Sequence, residues 1–95
     1  MTLVAYSKHP TEILDYELDW SDWLSEGETI TSYTVTADTG ITKEADSKTG
    51  NIVTIWLSGG TAGERYVVTC TIVTNMLVKT DVYKTGVDKI TIHVK

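Results

Sequence analysis

The sequence predicts an all-β sandwich of six or seven short strands, on three observations. Seventeen Thr, ten Val and eight Ile make 35 of 95 residues β-branched, against one Pro and no Phe. Such side chains are stiff at χ1 and pack well on a pleated surface. Residues 15–20, Asp-Tyr-Glu-Leu-Asp-Trp, alternate strictly between acid and large apolar side chain, the period-two pattern of a half-buried strand. Turn-forming residues recur every eight to twelve positions, which is the spacing of sandwich strands. Ninety-five residues also fix the scale. A chain of that length buries only about 60–65% of the surface its unfolded form exposes, so residues 1–95 are expected to form one domain. An enzyme with a cleft between two domains is excluded.

The elements follow in order. Pro10 has its φ preset for a first helical position, so a single helical turn is expected over 10–14. Tyr16, Leu18 and Trp20 then point one way and Asp15, Glu17 and Asp19 the other. After that strand a helical turn at 21–24 brings Trp20, Trp23 and Leu24 to one face by their i, i+3, i+4 spacing. A second strand is expected over 29–37, ended by Asp38-Thr39-Gly40, and a weak third over 41–45. Lys48-Thr49-Gly50-Asn51 turns the chain into a strand over 52–57, where Val53, Ile55 and Leu57 oppose Ile52, Thr54 and Trp56. The glycine-rich 59–63 breaks it. The longest strand is expected over 65–75, with Tyr66, Val68, Cys70 and Ile72 on one face. A more polar stretch over 79–88 reads as the far part of a hairpin with a short strand around 77–82. Ile90, Ile92 and Val94 face inward in a closing strand over 89–95.

Charge and composition narrow the function classes. The net charge is −5, which opposes unaided nucleic-acid binding because phosphate contacts need clustered cations. Residues 1–50 hold ten acids and three lysines (net −7), and 51–95 hold three acids and five bases (net +2). Seven acids and no base lie between Glu12 and Glu28. That segment is either a solvated face or an interface that steers a basic partner. Cys70 is alone and cannot bridge within the chain. The first seven residues lack a charged region followed by a long apolar run, and no apolar run approaches the roughly 20 residues a membrane span needs. A soluble protein used without export and without a membrane partner is expected.

Chemical motifs are sparse. Gly59-Gly60-Thr61-Ala62-Gly63 lacks the Lys-Ser/Thr pair of a phosphate loop and precedes a strand, so it reads as a tight turn. His9, His93 and Cys70 have no spacing that gathers zinc ligands. Asp15, Glu17 and Asp19 sit on alternate strand positions roughly 7 Å apart, which does not wrap a Ca²⁺ ion. No nucleophile–base pair stands out, so no enzyme, no metal and no cofactor is expected. Trp20 and Trp56 are expected in the core, since a chain without Phe needs other large side chains there. Trp23, on a turn, is the tryptophan most open to a partner.

Two blocks of residues carry a family resemblance. The opening, Lys8-His9-Pro10 through Leu14-Asp15-Tyr16-Glu17-Leu18-Asp19-Trp20-Ser21-Asp22-Trp23-Leu24, resembles a "K-x-P … L-D-Y-x-x-D-W-S-x-W-L" start. The centre, Trp56-Leu57-Ser58-Gly59-Gly60-Thr61-Ala62-Gly63-Glu64-Arg65-Tyr66-Val67-Val68-Thr69, resembles "W-L-S-G-G-T-A-G-x-x-Y-x-V-T". Both belong to small tailed-bacteriophage virion proteins of the fiber–tail or neck adaptor family. Their usual "T-I-x-V-K" ending is met by Thr91-Ile92-His93-Val94-Lys95, while residues 76–87 depart from the pattern. The resemblance implies a single immunoglobulin-like β-sandwich of about seven strands. It also implies a structural role in the virion tail or neck, made in the host bacterial cytoplasm and present in several copies. Partners would be neck, adaptor and tail-fiber proteins. Capsid-surface decoration and a glycan-binding module using Trp23 and Tyr83 are the alternatives.

Candidate partner contacts follow from this reading. Leu3, Val4 and Tyr6, in the N-terminal segment 1–9, have the apolar character for pairing with a neighbour's sheet edge, or for forming an edge strand of their own domain. Asp15, Glu17 and Asp19 form the acidic row. Trp23 lies on the turn, and Lys79, Tyr83 and Lys84 lie on the hairpin.

Overall fold

The computed structural model describes residues 4–95, with side chains from Tyr6 onward. It contains seven strands: β1 Val4–Lys8, β2 Leu14–Asp19, β3 Ile30–Ala37, β4 Ile41–Thr49, β5 Ile52–Gly59, β6 Arg65–Lys79 and β7 Val82–Val94. They form a four-stranded sheet in the order β1-β7-β6-β3 and a three-stranded sheet in the order β2-β5-β4. All pairs are antiparallel except β1 with β7, which runs parallel from Val4↔Ile90 to Lys8↔Val94.

The core lies between the sheets and follows from period two. Tyr16 and Leu18 of β2, Val53, Ile55 and Leu57 of β5, Tyr66, Val68, Cys70 and Ile72 of β6, and Ile90, Ile92 and Val94 of β7 are all buried. Trp20 is fully enclosed among them. The expected inward faces of β2, β5, β6 and β7 are those the structure shows, and the turn at 21–24 is also present. There the Trp23 and Leu24 amides both donate to the Trp20 carbonyl at 3.0 Å.

Four expectations need correction. Residues 10–14 form no helical turn. The Glu12 amide donates to the His9 carbonyl (3.1 Å) and Glu12 Oε1 accepts from the His9 amide (2.7 Å), closing a β-turn. Pro10 serves there as the second turn residue, and the pairing of Leu14 with Leu57 takes over immediately. Strand β4 is nine residues long rather than five. Its exposed edge shows almost no apolar alternation, and a bulge between Lys43 and Ala45 shifts its phase. The hairpin expected after residue 75 is present, but no separate short strand spans 77–82: β6 runs on to Lys79 and β7 starts at Val82, with the turn at Thr80-Asp81.

The fourth correction concerns Trp56, which is 41% exposed on the outer face of β5. Strand parity decides this: with Val53, Ile55 and Leu57 inward, Trp56 must point out. The core instead takes its bulk from Trp20, Tyr16 and Tyr66.

Candidate interaction surfaces

At one end of the sandwich, the two signature blocks lock onto each other. Lys8 ends β1 with only 1% of its surface exposed. Its Nζ donates to the Gly59 carbonyl at 2.8 Å and the His9 carbonyl at 2.7 Å. A buried ammonium is tolerated only when hydrogen-bonded, and here its acceptors lie in the opening block and, 51 residues on, in the glycine turn. The Thr61 amide donates to the Tyr66 hydroxyl at 2.9 Å. A Cβ on Gly60 would come within 2.6 Å of Val94 Cγ2, so the turn can approach β7 only as glycine.

At the other end, the tryptophan turn grips the root of the β6–β7 ribbon. Trp20 and Trp23 meet edge to face with centroids 5.3 Å apart. Gly86 of β7 lies beneath both rings, and a Cβ there would stand 2.6 Å from Trp23 Cη2 and 3.0 Å from Trp20 Cζ3. Lys84 Nζ sits 4.1 Å from the Trp23 ring centroid and 3.2 Å from Glu28 Oε1, a cation held by a π face and a carboxylate together. The Ser25 amide donates to that same Oε1 at 2.8 Å. This amide above all, with the Thr74 hydroxyl and the Lys84 ammonium, holds the Glu28 carboxyl below its usual range. The Thr29 amide donates to Asn75 Oδ1 (2.9 Å), and the Asn75 amide to the Thr29 carbonyl (3.1 Å), fixing the point where β6 bulges.

Beyond that grip the ribbon projects. Strand β6 alone has fifteen residues, about 50 Å of extended chain, and the molecule measures 46 × 20 × 20 Å. Leu77, Val78, Val82 and Tyr83 are exposed on the ribbon, at 56, 59, 38 and 48%. Leu77 pairs with Tyr83, and Asp81 at the tip has φ 59°, a conformation that Asp tolerates better than most. Tyr83 shares strand parity with Val87 and Lys89, all exposed, so the ribbon continues the outer face of the four-stranded sheet.

The outer face of the other sheet has a different character. Asp15, Glu17 and Asp19 are exposed along β2. Asp15 lies directly across from Trp56, Glu17 from Thr54 and Asp19 from Ile52. Glu44, at the β4 bulge, accepts a hydrogen bond from Ser58 Oγ at 2.6 Å, and Ile13 is exposed just before β2. The face is therefore acidic around one large aromatic. The Asp19 carboxyl is held low by the Ser21 hydroxyl and amide, at 2.6 and 2.9 Å.

The expected contact residues thus fall into different surroundings. Asp15, Glu17 and Asp19 share one open face, and Lys79 and Tyr83 lie exposed on the ribbon. Trp23 and Lys84 are half-buried and engaged with each other. Trp23 and Tyr83 do not form one sugar platform. Trp23 packs against Gly86 on the inward side of β7, and Tyr83 has the opposite parity. Tyr6 packs on Tyr16 with ring centroids 5.0 Å apart. Leu3 lies outside the described residues, and Val4 is described only by its backbone pairing with β7 of its own chain.

Sequence reasoning gave no role to Lys8, Glu28 or Gly86. For Gly86 a signal existed, since a lone glycine within a strand often marks close approach of another group. Lys8 stands only as the first residue of the resembling block, and its remote acceptor leaves no local sign of what it does.

Among the described residues no cluster of His, Cys, Asp or Glu is placed to hold a metal ion. A comparison with curated proteins finds no match. A family model described as podophage GP4 fiber-tail adaptor protein gp77 matches residues 8–82. The match begins at the buried lysine, takes in the tryptophan turn and the glycine turn, and stops in the ribbon just before Tyr83, short of Lys84, Gly86 and Val94. With 75 of 95 residues matched, the chain belongs to the podophage fiber-tail adaptor family.

Proposed function

We propose that this chain is a non-enzymatic, single-domain structural component of a tailed-phage particle that links neck or tail proteins to the fibers, in several copies per particle. The observation that carries this reading is the division of labour in the molecule. The signature residues are spent on holding the two ends of the sandwich together, while both outer sheet faces and an apolar ribbon remain open. A rigid body with open faces suits an adaptor. The strand order supports an immunoglobulin-like reading: β2-β5-β4 opposes β7-β6-β3 as B-E-D opposes G-F-C, with the first strand beside the last. The acidic face would meet a basic partner, and nucleic acid and membrane are not partners in this reading.

An epitope-tagged copy, gold-labelled on purified particles and viewed by electron microscopy, tests the proposal. Label confined to the tail vertex is expected. Label over the whole head would make the protein a capsid decoration and overturn the tail assignment.

A further inference from the structure

The part of the β6–β7 ribbon beyond Lys84 is open on every side. The described pairing of β3 with β6 reaches only Ile30↔Thr74, and that of β1 with β7 begins at Val4↔Ile90. Among the described residues, no third strand therefore lies along 76–79 or 82–86, and both edges of the ribbon keep unpaired backbone groups. Among those residues, 77–83 also make no hydrogen bond or ion pair to the body of the sandwich. Lys84, held by Glu28 and Trp23, is the last tie. Apolar side chains occupy both faces. Leu77 and Tyr83 pair across the ladder and share one face, and Val82, next to Tyr83 along β7, points to the other. Val78 sits at the register shift between Leu77 and Lys79 and is 59% exposed. A two-stranded ribbon with nothing packed on it is marginally stable in water. One that exposes a tyrosine and three aliphatics marks a contact still to be made.

We infer that the ribbon is an insertion arm, received by an apolar cleft in a different protein chain that covers Leu77 and Tyr83 from one side and Val82 from the other. A second copy of this chain fits the arm poorly. A stable pairing of chains needs about 800 Å² and 20–30 residues a side. A copy laid on the ribbon would cover the few apolar groups of one face and leave those of the other in water. Only walls on both faces cover them all. Charge sets the form of the cleft. Residues 77–83 hold one lysine and one aspartate, Lys79 and Asp81, which flank Thr80 at the tip. The stem enters an uncharged site without stranding a charge, whereas enclosing the tip would take two ionised groups out of water. The cleft is accordingly open at its far end, where the tip stays hydrated. The same tip argues against a lipid bilayer as the receiver, since Lys79 and Asp81 would have to lead the way in. At the root, the clamp of Trp23, Lys84 and Glu28 fixes the arm before the partner arrives, which lowers the cost of ordering it on entry. The inference rests on the reading of this chain as one component of a particle and adds the chemistry of one partner.

Photocrosslinking in assembled particles provides the test. Benzoylphenylalanine takes the place of Leu77, Val82 or Tyr83 in turn, particles carrying each variant are irradiated, and the adducts are identified by mass spectrometry. All three positions are expected to crosslink to one and the same protein, different from this chain. Two further variants, L77D and V82D, put a charge on one face each. Both positions are exposed, so the purified chains should melt as the parent does. Each should nevertheless be depleted from particles at least about tenfold. Adducts only between copies of this chain, adducts from one face alone, or no protein adduct would overturn the inference. So would either aspartate variant that enters particles as the parent does. These readouts are separate from the gold label. Label over the head would move the protein within the particle and leave a common adduct at positions 77 and 82 standing. Label at the tail vertex without such an adduct would remove the arm and keep the adaptor.

Discussion

Replacing Gly86 by alanine sets two effects of opposite sign against each other. The φ of Gly86 is not in the left-handed region, so alanine fits the backbone and, by restricting the unfolded chain, should stabilise by about 0.4–1 kcal/mol. Against this, the new methyl would stand 2.6 and 2.7 Å from two Trp23 ring carbons and 3.0 Å from Trp20. Comfortable carbon contacts begin near 3.5 Å, so one ring must retreat by roughly 0.9 Å. Trp20 is fully buried and cannot, and Trp23 is held between Trp20 and the Lys84 ammonium. Overpacking of this kind costs about 1–3 kcal/mol. The net expectation is a loss of about 1–2 kcal/mol, which lowers the melting temperature by roughly 5–15 °C in a domain of this size. Thermal and urea unfolding followed by tryptophan fluorescence give the number. In a Trp23→Leu background the same substitution should become nearly neutral, because its main obstacle is gone and the two effects couple. Gly86→Ala that matches or exceeds the parent's stability, or that costs the same with and without Trp23, would refute the reasoning.

Other consequences are open to direct measurement. Trp56→Ala should cost less than about 1 kcal/mol in urea unfolding, whereas Trp20→Ala should cost about 3–5 kcal/mol, because only the latter leaves a cavity. The Glu28 carboxyl is held low by the Ser25 amide, Thr74 and Lys84, so its ionised form favours the folded state. That contribution is complete above the ordinary value of 4.5 and is lost as pH falls through the lower folded-state value. Urea midpoints measured against pH should fall on the acid side, and E28Q should flatten that limb; an unchanged slope would count against the assignment. Burial pushes the Cys70 thiol up to about 11, so a thiol-specific reagent at mildly alkaline pH should react only as the protein unfolds. Rapid labelling of the native chain would contradict it.

How far the fold could be read depended on whether side-chain chemistry and strand parity agreed. On β2 every outward residue is an acid and every inward one a large apolar group, so face and element are unmistakable. On β4 only Ile41 is buried, and the strand exists because β5 offers it a backbone partner, which no local pattern reveals. At Trp56 size and parity conflicted, and parity prevailed because β5 contributes three consecutive inward aliphatics. The acidic face was legible for the same reason as β2. The apolar ribbon was not, since Leu77 and Tyr83 come side by side only once β6 and β7 have paired. The Lys8 and Glu28 contacts were illegible on similar grounds, each depending on a partner more than fifty residues away.

The parallel pairing of the first and last strands has a mechanical meaning. Val4 lies beside Ile90 and Lys8 beside Val94, so tension entering through β1 and leaving through the end of β7 pulls the two strands along their length in opposite directions. All five register positions then carry the load at once, because parallel ladders space their bonds evenly. Force applied across the ribbon tip between β6 and β7 would instead open pairs one after another, as a zip. Single-molecule pulling should therefore find a higher rupture force through β1 and the end of β7 than across the ribbon, and equal forces would remove this reading. A protein seated between a tail and the fibers that tug on it would be stiffest along the axis joining its first strand to its last.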